Sequence, residues 1–456
     1  MAQQSKPSLW RQPGGVYLVA IAEFWERFSY YGLVALLVLF LTGAAGDGGL
    51  GLSRDTALQI YGVFAGLAFC LPAAGGWLAD RFLGDRLGVL LGGVGILAGN
   101  LILFLMTFAL APGGAGKGLL LGGLGLIVLG TGLLKPAIST LVGRVYDGRP
   151  ELSRSAGYTL FLMCIWMGSV AGTLLAGALG ETIGFRWGFL VSACGMACGL
   201  TLYAALAPHV LGDTGTRKAR RAAAATPAIA QSGVAPRTAV GAILLLTVFT
   251  AVYATAFYQK AGVLTLMVKA STDRVVLGVQ LPASAFLTIS TAGFVILAPL
   301  IEMAFARMAQ RGLRLDPYQK QIGALVALAV GYAFFLGAAH QSGQTATGLH
   351  SAWWIVAGYL CFSIGDVLIW PPQISTISRL APVRFTGLLI GVWYVTVGIG
   401  NYLAGFLGVW ADRLGLATYF IIIQSGLLLA AAILFLIRAR AKALKAAVDE
   451  PQGTLA

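Results

Sequence analysis

The residues whose types and spacing suggest chemistry lie inside the first long apolar run, in the sequence Glu-Phe-Trp-Glu-Arg-Phe-Ser-Tyr-Tyr-Gly. On a helix with about 100° between residues, the polar side chains of this sequence share roughly 140° of arc: Glu23, Glu26, Arg27, Tyr30 and Tyr31. Ionisable groups at the centre of a bilayer cost about 2.5–3.5 kcal/mol each on insertion scales. Such groups normally face a protein interior or a wet cavity. This face therefore predicts a path for a proton or for a charged substrate.

A structural ion pair between Arg27 and either Glu23 or Glu26 is the alternative interpretation. Such a pair would require neither a second carboxylate nor two tyrosines on the same face, so the functional interpretation is favoured. Lys135, in the apolar sequence Gly-Thr-Gly-Leu-Leu-Lys-Pro, also needs a partner, and the two glutamates are the obvious candidates. Pro136 would loosen the backbone around this lysine.

Composition sets the class of protein that must position these groups. The chain has 456 residues, of which 58% are hydrophobic and 11% charged, and its mean hydropathy is +0.83. A soluble domain is nearer a quarter charged, so this chain lacks the polar surface of a soluble globule. The sequence predicts an all-α membrane protein that crosses the bilayer many times.

The net charge of +14 does not indicate a nucleic-acid partner. Most of the 31 lysines and arginines fall in segments that twelve spans with cytoplasmic ends would place in the cytoplasm, as the positive-inside rule expects. The basicity is therefore explained by topology.

Metal, cofactor and enzyme chemistry are not expected. The five cysteines fall in predicted spans and are interpreted as small buried residues rather than as a disulfide or metal site: Cys70, Cys164, Cys194, Cys198 and Cys361. No zinc-protease motif, phosphate-binding loop or nucleophile elbow is present.

The apolar runs predict twelve spans in two bundles of six. The predicted spans are residues 17–41, 57–79, 88–110, 119–142, 156–179, 187–208, 240–268, 283–306, 319–338, 352–376, 386–410 and 416–437. The predicted domains are an N-terminal tail 1–16, a bundle 17–208, a basic cytoplasmic linker 209–239, a bundle 240–437 and a C-terminal tail 438–456.

The first-span sequence resembles the ExxERFxYYG signature of the proton-coupled oligopeptide transporters, a branch of the major facilitator superfamily, and the match is complete. The segment from Gly130 to Tyr146 resembles the family's GTGLLKPNxxxLxGxxY pattern, with Ala137 in place of the asparagine. The resemblance implies the major facilitator fold, with twelve helices in two bundles related by pseudo-two-fold symmetry and substrate bound between them.

Residues 75–86, between the second and third spans, resemble the superfamily's cytoplasmic GxLaDrxG loop. Asp80 would cap a helix N-terminus while Arg81 and Arg86 stay in water, which predicts a gating latch. A solvated turn is the alternative. The similar sequence Trp-Ala-Asp-Arg-Leu-Gly at residues 410–415 is interpreted as chance.

The resemblance also assigns roles. Glu23, Glu26 and Lys135 would handle the proton, and Arg27 with Lys135 would bind a substrate carboxylate. Tyr30 and Tyr31 would supply shape and hydrogen bonds.

In the tenth span, Asp366 stands where the family has a glutamate that binds the peptide amine, and Trp370 replaces a small serine. A helix-kink cap beside Pro371 is the alternative role for Asp366. Trp393, in a further matching segment, would line the substrate cavity.

Several pocket positions depart from the family pattern. Family tyrosines align with Phe69 and Leu162, asparagines with Trp166 and Ser290, and the seventh-span acid with Tyr258. These substitutions put the family's outer gate and one of its proton sites in doubt. Lys260 adds a cation that would favour an acidic substrate or pair with Asp366.

Together these features predict proton-coupled symport of di- or tripeptides, or of peptide-like compounds, by a monomer in the cell membrane. No cofactor is expected, since the proton gradient would drive transport. The partners would be the substrate, protons and membrane lipid. The alternative is a divergent member that moves, or exports, another small anion, metabolite or amphiphile.

Overall fold

Twelve helices in the described part of the chain are long and apolar enough to cross a membrane, which confirms the predicted number of spans. The structure is a computed structural model that describes residues 12–108, 115–147, 154–216, 236–276, 278–345, 347–380 and 386–438. The shortest of these helices has 21 residues, enough for about 30 Å of hydrocarbon at 1.5 Å per residue.

The first half of the chain contains six long helices. They are α1 (Gly14–Thr42), α2 (Arg54–Leu78), α3 (Asp85–Met106), α4 (Ala115–Arg144), α5 (Arg154–Thr182) and α6 (Phe185–Leu211). A 3-10 turn (Ala45–Asp47) lies between α1 and α2, and a π-helical turn (Ala79–Leu83) lies between α2 and α3.

The second half contains both long and short helices. They are α7 (Pro236–Phe257), α8 (Val263–Ser271), α9 (Ala283–Gln310), α10 (Pro317–Gln344), α11 (Ala352–Leu380), α12 (Thr386–Gly408), α13 (Trp410–Leu414) and α14 (Leu416–Arg438). Two small sheets join their ends. The strand β1 (Thr272–Asp273) pairs in parallel with β4 (His350–Ser351), and β2 (Val275–Val276) pairs antiparallel with β3 (Val279–Gln280).

Two details of the structure were not predicted. The seventh predicted span, residues 240–268, coincides with the apolar span Val240–Ser271, but a 3-10 turn over Tyr258–Ala261 separates α7 from α8 within it. The linker was expected from residue 209, but α6 carries Pro208 inside the helix and continues to Leu211. Residues 217–235, which hold the basic run of the linker, lie outside the described residues, as do most of both predicted tails.

The chain divides into two compact units that cut across α2. Unit 1 comprises residues 1–53 and 67–227, and unit 2 comprises residues 54–66 and 228–456. The early part of α2 therefore packs with unit 2 and the later part with unit 1.

Within unit 1, glycines permit very close helix contacts. A Cβ built on Gly168 would lie 2.2 Å from the carbonyl oxygen of Phe24, and one on Gly172 would lie 2.1 Å from that of Phe28. Any side chain at these positions would push α5 away from α1. This contact fixes α1, and with it the charged face, against its neighbour.

Within unit 2, close contacts at glycines likewise join the early part of α2 to α12. A Cβ on Gly62 would lie 2.9 Å from Cα of Gly405, and one on Gly66 would lie 3.0 Å from the carbonyl oxygen of Gly398. The centre of unit 2 is aromatic, with ring contacts between α7, α10, α11 and α14 through Phe257, Tyr332, Phe335, Phe362 and Phe420.

Candidate functional site

The charged face of α1 is buried. Glu23 and Arg27 are each 2% exposed and Glu26 is fully buried. The Arg27 guanidinium binds both carboxylates: Nη2 donates to Glu26 Oε1 at 2.5 Å, Nε also donates to the second Glu26 oxygen, and Nε lies 3.4 Å from Glu23 Oε1. The structure thus brings together the three residues, and the ion pair considered in the sequence includes both acids.

The two carboxylates are not equivalent. Both oxygens of Glu26 contact Arg27, in the bidentate arrangement that a planar guanidinium favours. Glu23 Oε2 is buried and makes no hydrogen bond within the described residues. A buried acceptor without a donor is costly, and a proton on that oxygen would reduce the cost. Glu23 is therefore the carboxylate better placed to take up a proton.

Tyr30 and Tyr31 extend this face. The Arg27 guanidinium carbon lies 5.2 Å from the centre of the Tyr30 ring and 5.9 Å from that of Tyr31, within cation–π range. Two aromatic residues between the charged positions face α6. Phe28 lies against Gly195 and Trp25 against Gly199, both on α6.

Lys135 on α4 joins the cluster electrostatically. Its charge interacts with those of Glu23, Glu26 and Arg27, and its Nζ lies 4.4 Å from the centre of the Phe69 ring. Pro136 lies inside α4, and the hydroxyls of Ser139 and Thr140 donate to the carbonyls of Lys135 and Pro136. Side-chain hydrogen bonds therefore supplement the backbone hydrogen bonds of α4 around Pro136, as expected beside a proline in a membrane helix.

Only part of the predicted latch has a described geometry. Arg81 is exposed and lies over the Phe82 ring. Arg86 is half-exposed, and its Nη1 donates to the Gly212 carbonyl at 2.5 Å. Asp80 lies in the π-helical turn, and its side chain is outside the described set. The N-cap residue of α3 is Gly84, with no side-chain cap.

Sequence reasoning missed the acid that anchors this loop. Asp85, in the first turn of α3, is 1% exposed, and its Oδ2 lies 2.9 Å from Arg144 Nε at the end of α4. The available signal was a second aspartate in the loop motif, five residues after Asp80. Burial, which the sequence does not show, distinguishes it.

In unit 2, Asp366 is held by two side-chain donors. The Tyr253 hydroxyl and Trp370 Nε1 both donate to Asp366 Oδ1, at 2.9 and 2.7 Å, and the aspartate is 1% exposed. These donors, rather than backbone N–H groups, bind the carboxylate within the described residues, which argues against the kink-cap role. The tryptophan that replaces the family's serine is thus a partner of the acid.

Trp393 is buried beside the same group. Its Nε1 donates to Gln373 Oε1 at 2.6 Å, an oxygen that also accepts from Thr250 at 2.8 Å, and its ring meets Trp370 edge-on at 5.5 Å. Trp393 borders a cavity of about 10 Å³, too small for a substrate in this conformation.

Lys260 and Ser290, two of the departures from the family pattern, are direct partners. Lys260 Nζ donates to Ser290 Oγ at 3.1 Å and lies 3.8 Å from the centre of the Phe257 ring. Tyr258 is half-buried, with its carbonyl accepting from Tyr61. On α5, Leu162 is 48% exposed and Trp166 is half-buried.

The segment at residues 410–415, interpreted as chance in the sequence, has ion-pairing partners. Arg54 Nη1 lies 2.6 Å from Asp412 Oδ1, and Arg413 Nη2 lies 3.4 Å from Asp55 Oδ2. Each side contributes one arginine and one aspartate, so the two pairs are reciprocal. Alternating charge on α2 and α13 was the available signal.

Outside the spans, His350 is buried between hydroxyls. Its Nε2 lies 2.8 Å from Thr272 Oγ1 and its Nδ1 lies 2.7 Å from Ser342 Oγ. Burial lowers the pKa of His350 from 6.5 to about 4. The described residues contain no group of three or more metal-ligating side chains, and none of the five cysteines is in a disulfide.

Comparison with known proteins bears on this arrangement. A sequence model of the POT family matches residues 89–211 and 216–415. A peptide transporter of Yersinia enterocolitica is 30% identical over 477 residues, which cover 91% of this chain and 92% of that protein.

Solved structures show the same fold. A peptide transporter POT in complex with sulfate superposes with a TM-score of 0.84 at 27% identity, covering 96% of this chain and 98% of that one. A POT family transporter in complex with 5-aminolevulinic acid gives 0.83 at 25% identity, over 96% and 99%. The fold, the buried charged face of α1 and the sequence match agree: this chain, a multi-pass membrane protein, belongs to the POT family of transporters.

Proposed function

We propose that this protein carries short peptides or peptide-like compounds across the cell membrane together with protons, by alternating access. The observation that supports this most directly is the buried cluster of two carboxylates and one guanidinium on α1, with which the charge of the half-buried Lys135 on α4 interacts. The relative from Yersinia is named a peptide transporter, and a structural relative holds the amino acid 5-aminolevulinic acid.

The cluster offers a simple coupling step. With Glu23 and Glu26 ionised, their charges balance those of Arg27 and Lys135. A proton on Glu23 removes one anion and leaves a net positive cluster. That cluster would attract a substrate carboxylate to Arg27 or Lys135, so that proton and substrate are bound together.

Unit 2 carries a candidate group for substrate recognition of its own. Asp366 is the candidate group for an amine, which would compete with Trp370 Nε1 for the carboxylate oxygen. Tyr30, Tyr31 and Trp393 would contribute shape and hydrogen bonds. Recognition of the backbone ends would tolerate many side chains.

The proton gradient is sufficient as the energy source. One proton that crosses about 100 mV supplies about 2.3 kcal/mol, or roughly fiftyfold accumulation. We propose accordingly that no cofactor is needed and that no nucleic acid is bound. The protein would act as a monomer. Both of its termini, and the loop that contains Asp80, Arg81 and Arg86, would lie in the cytoplasm.

Uptake by proteoliposomes with an imposed pH gradient tests the proposal. Labelled dialanine should accumulate when the outside is acidic, and unlabelled di- and tripeptides should compete. Glu23→Gln is the matched variant that removes one proton site with little change of shape. Accumulation that is independent of the gradient would contradict proton coupling, and failure of every peptide to compete would contradict the substrate class.

A further inference from the structure

The seventh span is broken where Lys260 lies. The helix α7 ends at Phe257, the chain forms a 3-10 turn over Tyr258–Ala261, and α8 begins at Val263. Non-helical backbone at membrane depth is tolerated where it is buried in protein or lines a cavity, and broken helices of transporters commonly carry ion and substrate sites.

The break is stabilised by specific contacts. The Lys260 carbonyl accepts from Thr265 Oγ1 at 2.7 Å and from the Tyr359 hydroxyl at 3.4 Å. A carbonyl freed from the helix is thus satisfied by side chains of α8 and α11. The turn is a fixed element that holds the lysine in one place.

The Lys260 ammonium is only partly satisfied. It has three N–H donors, and its recorded partners within the described residues are one hydroxyl, that of Ser290, and the face of Phe257. It makes no ion pair there with a carboxylate, and the side chain is half-buried rather than enclosed. A cation in a membrane segment without an anionic contact is expensive unless an anion or water reaches it.

Asp366 does not supply this anion through direct contact with Lys260. Its charge and that of Lys260 interact over a longer distance, while its Oδ1 is engaged by Tyr253 and Trp370. The sequence left two uses for Lys260, an acidic substrate or a pair with Asp366. The geometry favours the first.

We propose that Lys260, with the Ser290 hydroxyl, is a subsite for an anionic group of the substrate, so that this transporter prefers peptides with an acidic side chain. The inference rests on the proposed function and names a substrate class within it. Lys260 Nζ would donate to a carboxylate oxygen while Ser290 holds the ammonium in position, and Phe257 provides the apolar wall beneath it.

Equilibrium binding to the purified full-length protein tests this subsite. The probes are alanyl-glutamate, alanyl-alanine and alanyl-lysine, with glutarate as a dicarboxylate that has no peptide bond. Wild-type protein should bind alanyl-glutamate about tenfold more tightly than alanyl-alanine, the effect of one charge-assisted hydrogen bond. Lys260→Gln should abolish this preference by weakening alanyl-glutamate alone, and Lys260→Arg should retain most of it.

Two controls separate the outcomes. Lys269→Ala removes an exposed lysine of α8 and should change neither affinity. Thermal unfolding of each ligand-free variant reports whether it is folded. The subsite would be overturned if Lys260→Gln lost equal affinity for the acidic and the neutral peptide. It would also be overturned if the wild-type protein did not prefer the acidic peptide. Glutarate binding that requires Lys260, with no peptide bound, would support the subsite and contradict peptide transport. If no probe binds, both are contradicted.

Discussion

The two units hold their buried charges in different ways. In unit 1, Arg27 binds Glu26 and Glu23 directly, so charge meets charge at contact distance. In unit 2, Asp366 is held by the neutral donors Tyr253 and Trp370, and Lys260 by the neutral acceptor Ser290. In unit 1 the acids and the arginine form direct ion pairs. In unit 2 an acid and a base lie near each other without forming an ion pair.

This difference suggests a division of work. A contact cluster with two acids changes its internal pairing when one acid is protonated, which suits proton coupling. An acid and a base held by neutral partners can each exchange a partner for a charged group of the substrate, which suits recognition. Tyr258 stands where the family pattern has a seventh-span acid, which fits a proposal in which α1 handles the proton.

The largest effect is expected where contact pairing is broken. Arg27→Ala leaves two buried carboxylates without their guanidinium, which should destabilise the protein by about 3–5 kcal/mol and abolish uptake. Thermal unfolding and uptake in proteoliposomes measure both. Arg186→Ala, which removes an exposed arginine, is the control. A stable Arg27→Ala variant would show that the cluster is not held by contact charges.

The next largest effects should distinguish the roles of the two glutamates in transport. Glu23→Gln should abolish gradient-driven uptake but preserve peptide exchange between two sides at equal pH, because Glu26 still holds Arg27. Glu26→Gln should impair exchange as well and lower the unfolding temperature, since it removes the bidentate pair. Parallel assays of accumulation and exchange decide this, and the opposite assignment would follow if Glu26→Gln alone uncoupled transport.

A smaller effect is expected in unit 2. Asp366→Asn keeps an oxygen that can accept from Tyr253 and Trp370, so the unfolding temperature should stay near that of the wild type. The loss of the negative charge should weaken peptide binding about tenfold, as for one charge-assisted hydrogen bond. A large loss of stability with unchanged affinity would make Asp366 a structural residue.

His350 gives unit 2 a pH response that must be distinguished from proton coupling. Its pKa is lowered to about 4 in the folded protein, so the unfolded chain binds a proton between pH 6.5 and 4 and the folded protein does not. This contribution to stability is complete above pH 6.5, falls as the pH drops toward 4, and levels off below. His350→Asn should flatten the decline in unfolding temperature over this range. An unchanged slope would exclude this histidine as its source.

The smallest effect should come from the reciprocal ion pairs of unit 2. Arg54 and Asp412 are 27% and 48% exposed at their side chains. A double-mutant cycle with Arg54→Ala and Asp412→Ala should give a coupling free energy of about 0.2–1 kcal/mol for such a pair. A much larger coupling free energy would show that the pair is shielded from water. Unit 2 would then also hold charges by direct ion pairing, as unit 1 does.

The sequence by itself determined the class of fold and the charged face of α1. Long apolar runs predict membrane helices because an unpaired backbone is too costly in lipid, and the spacing of Glu23, Glu26 and Arg27 predicts one face because a helix turns about 100° per residue. Gly168 and Gly172 have the four-residue spacing of small residues that lets membrane helices pack closely, and at both positions α5 contacts the backbone of α1.

The tertiary structure alone decided which partners these groups have. That Glu26 rather than Glu23 holds Arg27 bidentately depends on side-chain rotamers, which helical spacing does not fix. That Asp85 is buried against Arg144 and that Lys260 meets Ser290 depend on contacts between distant elements. Hydropathy over a long window did not reveal the break of the seventh span at Tyr258, because the apolar segments on either side outweigh the polar residues Gln259 and Lys260. One of the side chains that bind the turn, that of Tyr359, lies on a distant helix.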